Sequence, residues 1–186
     1  MIRFAAFGDS LTEGYGLPIY SSFPSYLERC LLEGGHNVEM LNFGVSGETS
    51  ADGLLRLPEV LSTAPDAVYI EFGANDCFQF VNPAETEENL GRMIEAFQKN
   101  GSSVLLLGYN PLDFIPKTFA KEFTVIFERV AGKYKIPFHP DLMQGLYGQP
   151  NLLLSDGVHP SEEGVRAMVE NLYPLFEELL TGLNKR

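Results

Sequence analysis

The sequence predicts a three-layer α/β/α protein in which a parallel sheet of five strands lies between two layers of helices. Short apolar segments alternate with longer segments of helical period over five units, which is typical of a parallel sheet covered on both faces. The chain has 186 residues, 45% of them hydrophobic and 20% charged, as in an ordinary globular protein. No internal repeat, low-complexity tract or Pro/Gly/Ser-rich linker divides it. We therefore expect a single domain over residues 1–186.

The first half of the chain predicts three strands and two helices. Three short apolar runs are expected to form buried strands: Ile2–Phe7, Val38–Phe43 and Ala67–Phe72. Phe23–Glu33 carries its apolar residues on one face and ends before two glycines, which indicates a helix. Ser50–Leu61 has leucines one turn apart and is the second predicted helix.

The second half predicts three helices and two further strands. Thr86 is the expected start of a helix that ends at Asn100-Gly101. The remaining elements are a strand, a helix, a short strand and a last helix: Val104–Leu107, Phe119–Lys133, Ile136–Phe138 and Glu162–Leu180. Because crossovers between parallel strands are right-handed, these elements favour a flavodoxin-like or Rossmann-like arrangement.

The charge of the chain excludes several classes of partner. Lysine and arginine number 13 and aspartate and glutamate 25, so the formal net charge is −12. Such a charge repels nucleic acid and anionic membrane surfaces, and no cluster of basic residues offsets it. No apolar run approaches the ~18–20 residues of a membrane-spanning helix. We therefore expect a monomer that binds neither nucleic acid nor, stably, a membrane.

Two features bear on the cellular compartment. Met1-Ile2-Arg3 leads directly into the first predicted strand, which leaves no room for a signal peptide. We expect a cytoplasmic protein, with a periplasmic or secreted location as the alternative if a signal peptide has been removed. Two cysteines, Cys30 and Cys77, are too few for a disulfide framework or a zinc site, and whether they pair stays open.

Glycines and small polar residues follow the ends of several predicted strands. Gly8-Asp9-Ser10-Leu11 follows the first strand, residues 44–49 follow the second, and Gly73-Ala74-Asn75-Asp76 follows the third. Asp156-Gly157-Val158-His159-Pro160 comes after the fifth strand and a loop. Because ligands bind outside the carboxyl ends of parallel strands, this edge of the sheet is the predicted site.

Three of these residues form a candidate set for nucleophilic catalysis. Ser10 is a weak nucleophile until a base takes its proton, and the imidazole of His159 suits that task. Asp156 precedes His159 by three residues, close enough to fix the ring tautomer and stabilise the imidazolium. Acyl transfer also needs donors for the oxyanion. We predict the backbone N–H groups of Gly47 and Ser10 and the side chain of Asn75 for this role.

Each of these motifs also has a purely structural interpretation. Gly8-Asp9-Ser10 is a common turn tripeptide, Gly47 can form a turn, and His159-Pro160 can begin a helix. Asn75-Asp76 can cap a helix. A nucleophile, a base, an orienting acid and two kinds of donor at one sheet edge are not explained by turns alone. The combination favours a serine hydrolase over the alternative of a non-catalytic, flavodoxin-like binding module.

The chain resembles the SGNH hydrolases, also called GDSL esterases or lipases, because all four motifs of that family occur in order between Gly8 and Pro160. It is most similar to the bacterial thioesterase I, lysophospholipase L1 and arylesterase group, whose pattern matches residues 46–50 and 73–76. The resemblance implies a flavodoxin-like fold without metal or organic cofactor. It also implies hydrolysis of small acyl or aryl esters, thioesters or lysophospholipids through an acyl-enzyme.

The resemblance assigns Ser10, Asp156 and His159 to a catalytic triad, and Gly47 and Asn75 to the oxyanion hole. Glu48 departs from the family, in which aspartate is commoner, and Gly44 is a second glycine that competes for the oxyanion assignment. The wider family includes carbohydrate O-acetylesterases, which are the nearest enzymatic alternative.

Loops beside the motifs are expected to set substrate choice. We predict that Phe80 and Phe114 bind substrate, because ligand sites are mostly apolar with a few polar anchors. Cys77 is a conceivable second nucleophile, but a buried apolar role fits it better because no neighbour would lower its pKa. Three histidines without zinc-type spacing give no case for a metal.

Overall fold

The computed structural model describes residues 1–110 and 115–183. Five strands form one sheet: β1 (Ile2–Gly8), β2 (Val38–Gly44), β3 (Ala67–Glu71), β4 (Ser103–Leu107) and β5 (Phe138–His139). Their order is β2-β1-β3-β4-β5, and all neighbouring strands are parallel. This confirms the predicted flavodoxin-like arrangement and places β1, the strand that precedes Ser10, between β2 and β3.

Seven α-helices lie within these two described ranges: α1 (Ser10–Glu13), α2 (Phe23–Glu33), α3 (Ser50–Ser62), α4 (Ala74–Phe78), α5 (Pro83–Lys99), α6 (Lys117–Tyr134) and α7 (Glu162–Leu183). Helices α2 and α7 pack on one face of the sheet, and α3, α5 and α6 pack on the other. The three layers that the alternating pattern predicts are therefore present.

Strand β1 shows how the sheet divides two cores. Phe4 points to the layer of α2 and α7, where its ring centroid lies 5.5 Å from that of Phe176. Phe7 points to the opposite layer and packs edge-on against Phe72 at 4.9 Å. All four rings are fully buried, and burying a side chain of this size stabilises a fold by roughly 1.5–3 kcal/mol. The apolar run of β1 is thus accounted for on both faces.

Local side-chain bonds explain where several helices start. Ser22 caps α2 by accepting the N–H of Ser25. Thr49 and Asp52 form a capping box at the start of α3, in which each side chain accepts the other residue's backbone N–H. The predicted bounds of α2 agree with the structure because cap, apolar face and stop all lie within the local sequence.

Helix α5 starts at Pro83, so the predicted start at Thr86 was wrong. Asn82 caps the helix by accepting the N–H of Ala84, and Pro83 lacks an N–H at a position where none is needed. Thr86 is buried, and its hydroxyl donates to Asp76 at 2.9 Å. The sequence alone does not distinguish a threonine that donates to a buried carboxylate from one that caps a helix.

The fifth strand also differs from its prediction. It covers Phe138–His139 instead of Ile136–Phe138, because only these two residues pair with Leu106 and Leu107 of β4. The short helices α1 and α4 were not predicted at all. Four or five residues are too few to show a helical period.

Cys30 and Cys77 are both free thiols. They belong to opposite faces of the sheet, Cys77 to the core beneath α3, α5 and α6 and Cys30 to the core beneath α2 and α7. The open question of a bridge between them is answered by this separation. In the described part of the chain, no helix combines the length and the apolar character that crossing a membrane demands.

Candidate active site

Ser10 lies where the central strand β1 turns into the one-turn helix α1. Asp9 is the N-cap of this helix, and its side chain accepts the backbone N–H of Leu11 at 3.0 Å. A Cβ atom on Gly8 would lie within 2.6 Å of Glu71, so only glycine fits where the turn begins. The turn therefore sets the half-buried Ser10 at the carboxyl edge of the sheet.

The side chains of Ser10, His159 and Asp156 form one hydrogen-bonded chain. Ser10 Oγ lies 2.9 Å from Nε2 of His159, and Nδ1 of His159 lies 2.7 Å from Oδ2 of Asp156. When the carboxylate accepts Nδ1–H, Nε2 is left without a proton and can accept one from the serine hydroxyl. The structure therefore brings together all three predicted residues, although 149 positions separate Ser10 from His159.

The turn over residues 156–159 holds the carboxylate in place. Oδ1 of Asp156 accepts the backbone N–H groups of Val158 at 2.9 Å and of His159 at 3.0 Å. Burial acts to raise the pKa of Asp156, but these two bonds and the imidazole outweigh it and leave the pKa below its usual value. Asp156 is thus an anion whose second oxygen is free to orient the imidazole.

Backbone bonds fix the position of His159 relative to the last helix. The N–H of Leu154 donates to the carbonyl of His159 at 2.7 Å. Ser161 Oγ accepts the N–H of Gly164 at 3.2 Å and so caps α7. Ser161 is thus the N-cap that the structural interpretation of this segment allows, and the ring of His159 contacts Ser10 in addition.

The loop over residues 45–49 carries Gly47, and side-chain hydrogen bonds hold the residues before and after this glycine. Glu13, at the end of α1, accepts both the N–H and the hydroxyl of Ser46. Glu48 accepts from Nε and Nη2 of Arg56 at 2.6–2.9 Å. Gly47 has a φ of +83°, and a Cβ atom there would meet nothing within 4 Å. A ligand oxygen can therefore approach this backbone without steric hindrance.

Gly44 has a packing role instead. A Cβ atom on Gly44 would lie 2.0 Å from the backbone nitrogen of Glu13, so the glycine lets α1 pack against the end of β2. The backbone N–H of Gly44 donates to Oδ1 of Asn42 at 2.8 Å, which argues against its assignment to the oxyanion hole.

Asn75 links the turn before Ser10 to the loop that carries Gly47. Its Nδ2 atom donates to Oδ2 of Asp9 at 3.1 Å and to the carbonyl of Glu48 at 2.9 Å. The three predicted donors therefore lie at the same edge. Both N–H groups of Asn75 have protein acceptors, so donation to a substrate oxygen requires that one of these bonds be exchanged.

A pair of buried carboxyl groups lies beneath Ser10. Asp9 is 0% and Glu71 1% exposed, and the two side chains hydrogen-bond to each other. Oε2 of Glu71 also accepts the hydroxyl of Thr12 at 2.9 Å. Burial is the main cause that raises the pKa of both carboxyl groups, and the charge on Asp9 raises that of Glu71 further. The pair therefore keeps a proton to higher pH than two exposed carboxyl groups would.

This retained proton makes stability depend on pH, and Glu71→Gln should reduce that dependence. The unfolded chain loses the proton near the ordinary glutamate pKa of 4.5, whereas the folded chain keeps it to higher pH. Folding above that pKa takes up a proton, so the free energy of unfolding falls as pH rises, by up to ~1.4 kcal/mol per pH unit. Urea unfolding across the neutral range should show a steeper decline for the wild type than for Glu71→Gln.

A matched control for that experiment is Glu59→Gln, which removes an exposed carboxylate from α3. It should keep the wild-type slope. Equal slopes for all three proteins would mean that Glu71 holds no extra proton.

Tyr15 contacts His159, and the sequence patterns do not predict this contact. Its ring centroid lies 4.4 Å from that of His159 with the planes tilted by 35°, and its backbone N–H donates to the carbonyl of Ser10 at 3.1 Å. The side chain is 49% exposed and covers one face of the imidazole. An aromatic residue five positions after Ser10 is the signal that could have found it.

The two residues predicted to bind substrate have different outcomes. Phe114 lies outside the described residues. Phe80 follows α4, is 57% exposed, and its ring centroid lies 5.3 Å from that of Phe119. Phe80 is thus open to a ligand at the carboxyl edge, and its role stays a prediction.

Cys77 does not compete with Ser10 as a nucleophile. It is fully buried in α4, and burial together with the charge of Asp76 raises the pKa of its thiol to about 12. The reactive thiolate is therefore absent at neutral pH, in agreement with the apolar role expected for this residue.

Comparison with known proteins agrees with this geometry. Residues 6–167 match the model of the GDSL-like lipase/acylhydrolase family. An arylesterase of Vibrio mimicus is 34% identical over 157 residues, which cover 84% of this chain and 78% of that protein. The thioesterase 1/protease 1/lysophospholipase L1 of Escherichia coli is 27% identical over 157 residues, 84% of this chain and 74% of the relative. The crystal structure of TesA matches with a TM-score of 0.91 at 30% identity and covers 95% of this chain and 99% of TesA.

Proposed function

Because the chain belongs to the GDSL-like lipase/acylhydrolase family, we propose that Ser10, His159 and Asp156 are its ester-hydrolysing centre. The chain is a carboxylic ester hydrolase of the SGNH type. The observation that carries the assignment of residues is the continuous chain of two hydrogen bonds, 2.9 Å and 2.7 Å long, from Ser10 to Asp156. A non-catalytic binding module would not need this alignment.

Acylation starts when His159 takes the proton of the serine hydroxyl. Ser10 Oγ forms a bond to the carbonyl carbon of the substrate, and the carbonyl π electrons move to its oxygen. Asp156 keeps the proton of Nδ1 and stabilises the imidazolium that forms. The imidazolium then gives its Nε2 proton to the leaving oxygen or sulfur, which departs and leaves an acyl-Ser10 ester.

Deacylation repeats these steps with water as the nucleophile. His159 takes a proton from water, the hydroxyl oxygen bonds to the acyl carbon, and the imidazolium returns the proton to Ser10 Oγ as the acid leaves. The same donors serve both tetrahedral intermediates. We assign this role to the backbone N–H groups of Ser10 and Gly47 and to the side chain of Asn75.

The substrate is proposed to be an acyl or aryl ester, a thioester or a lysophospholipid. Exposed aromatic rings at the carboxyl edge support this choice: Tyr15 is 49%, Phe78 40% and Phe80 57% exposed. Such surfaces suit an apolar acyl or aryl group, and an acetylated sugar is the alternative substrate. A chain-length series of p-nitrophenyl esters, measured beside an acetylated sugar, separates the two. Faster turnover of the sugar would favour a carbohydrate O-acetylesterase.

Loss of an oxyanion donor should lower kcat far more than it raises KM. Asn75→Ala removes a side-chain donor, and Gly47→Val distorts a backbone donor whose φ of +83° disfavours a β-branched residue. Each change should lower kcat by about 10²–10³-fold, because the donors act on the transition state. Steady-state kinetics with one p-nitrophenyl ester gives both constants.

A matched control for the glycine is Gly101→Val. Gly101 has a φ of +89° and also has nothing within 4 Å of an added Cβ, but it precedes β4 at the amino edge of the sheet. It should suffer the same backbone strain and keep a normal kcat. A change in KM alone at Asn75 or Gly47 would indicate ground-state binding.

A further inference from the structure

We propose that Asp9 is the positioning residue of the Asn75 donor, and that Asp9 is the anion of the buried pair while Glu71 carries the proton. This role rests on the proposed donation by Asn75 to the oxyanion. The proposed role explains why a negative charge lies on Asp9, which is outside the Ser10, His159 and Asp156 triad.

The hydrogen-bond pattern distinguishes the two carboxyl groups. Asp9 accepts an N–H on each oxygen, from Leu11 at 3.0 Å on Oδ1 and from Asn75 at 3.1 Å on Oδ2. A proton on Asp9 would weaken one of these bonds. On Glu71, the hydroxyl of Thr12 and the backbone N–H of Asp9 both donate to Oε2, so a proton on the other oxygen of Glu71 would displace neither bond.

The surroundings of the pair tolerate a single charge. Within residues 1–110 and 115–183, the titratable groups that interact with Asp9 or Glu71 from neighbouring elements include Asp76, Tyr69 and Tyr147, and none of these three is a cation. Two carboxylates in contact without a cation cannot both ionise in a buried site. With one proton shared between Asp9 and Glu71, the pair carries one negative charge instead of two.

The anion on Asp9 fixes the orientation of the Asn75 carboxamide. One N–H of Asn75 is bound to Asp9 and the other to the carbonyl of Glu48, in the loop that carries Gly47. When an oxyanion forms beside Gly47, the second N–H can exchange the carbonyl of Glu48 for the more basic oxyanion. The bond to Asp9 remains throughout and keeps the donor in the plane in which it must act.

Asp9→Asn tests the positioning role. Asparagine is an equally good N-cap, so α1 keeps its cap. The side chain of asparagine has one acceptor oxygen, which cannot accept hydrogen bonds from Leu11, Asn75 and Glu71 together. Its NH₂ group would instead face one of these donor groups. We expect kcat to fall about 10- to 100-fold with little change in KM. In the Asn75→Ala background the same substitution should change kcat less than about twofold, because Asp9 acts through Asn75.

Glu71→Gln is the control for the charge. Glutamine is neutral, donates to Asp9 and still accepts from Thr12, so kcat should stay within about threefold of the wild type. The wild-type protein gives an independent measurement. Its infrared spectrum at neutral pH should contain the C=O stretch of a protonated carboxyl group, and Glu71→Gln should remove that band. This readout does not depend on the folding of Asp9→Asn.

The outcomes separate this inference from the proposed function. Full activity of Asn75→Ala would overturn the oxyanion assignment itself. A large loss in Asn75→Ala with none in Asp9→Asn would overturn the positioning role alone, as would an undiminished loss in the double variant. An inactive Glu71→Gln, or a wild-type spectrum without the protonated band, would show that the proton is not on Glu71.

Discussion

Ser10→Ala should lower kcat by about 10⁶-fold, because Ser10 has the hydroxyl that, among the described residues, is aligned with His159, and without it the acyl-enzyme cannot form. The alignment consists of the 2.9 Å contact between Ser10 Oγ and Nε2 of His159. Treatment of the wild type with a fluorophosphonate, followed by mass spectrometry of the digested protein, should place the adduct on the peptide that contains Ser10.

A suitable control is Ser62→Ala, at the carboxyl end of α3, where the serine hydroxyl donates to the carbonyl of Glu59. This variant should be labelled and should hydrolyse esters at the wild-type rate. Labelling of a different peptide, or full activity of Ser10→Ala, would refute the assignment of the nucleophile.

Asp156→Asn should lower kcat by up to about 10⁴-fold while the protein still folds. The oxygen of asparagine can keep both backbone bonds that hold the turn, from Val158 and His159. Its NH₂ group would then face Nδ1 of His159 and donate to it. The imidazole would be trapped with its proton on Nε2, where it cannot accept the proton of Ser10.

His159→Ala should lose at least as much activity as Asp156→Asn. The double variant should be barely worse than His159→Ala, because the orienting acid works only through the base. Asp66→Asn is the control: this aspartate accepts the N–H of Arg3 at the opposite edge of the sheet, and its loss should leave kcat unchanged. Losses that multiply would mean that Asp156 has a separate role.

The fold was predictable from the sequence where the determinants are local. Phe23–Glu33 contains its own apolar face and stop, and the cap at Ser22 directly precedes it, so its bounds agree with the structure. The start of α5 was not predictable in this way. Thr86 has the chemistry of a cap, and only the position of Asp76 in three dimensions shows what it binds.

The candidate site follows the same rule. Ser10, Asn75 and His159 were found because each comes after a strand or its loop, and parallel strands bring their carboxyl ends together. The contact of Glu13 with Ser46 joins residues 33 positions apart, and its existence depends on the path of the loop. Glu71 is an acid within the apolar run Ala67–Phe72, which is a signal in the sequence, whereas Asp9 lies in a common turn tripeptide that gives no sign of its carboxyl partner.

The proposed catalytic residues lie in parts of the fold that differ in how many backbone bonds hold them. Ser10, Gly47 and Asn75 follow three adjacent strands that share continuous backbone pairing. His159 is carried by a surface turn that is fastened to the preceding chain through bonds such as that of Leu154 N–H to its carbonyl. Local opening of a protein begins where such ties are few. We therefore expect heating to release the turn that carries His159 before the sheet unfolds, so that activity is lost at a lower temperature than the fold.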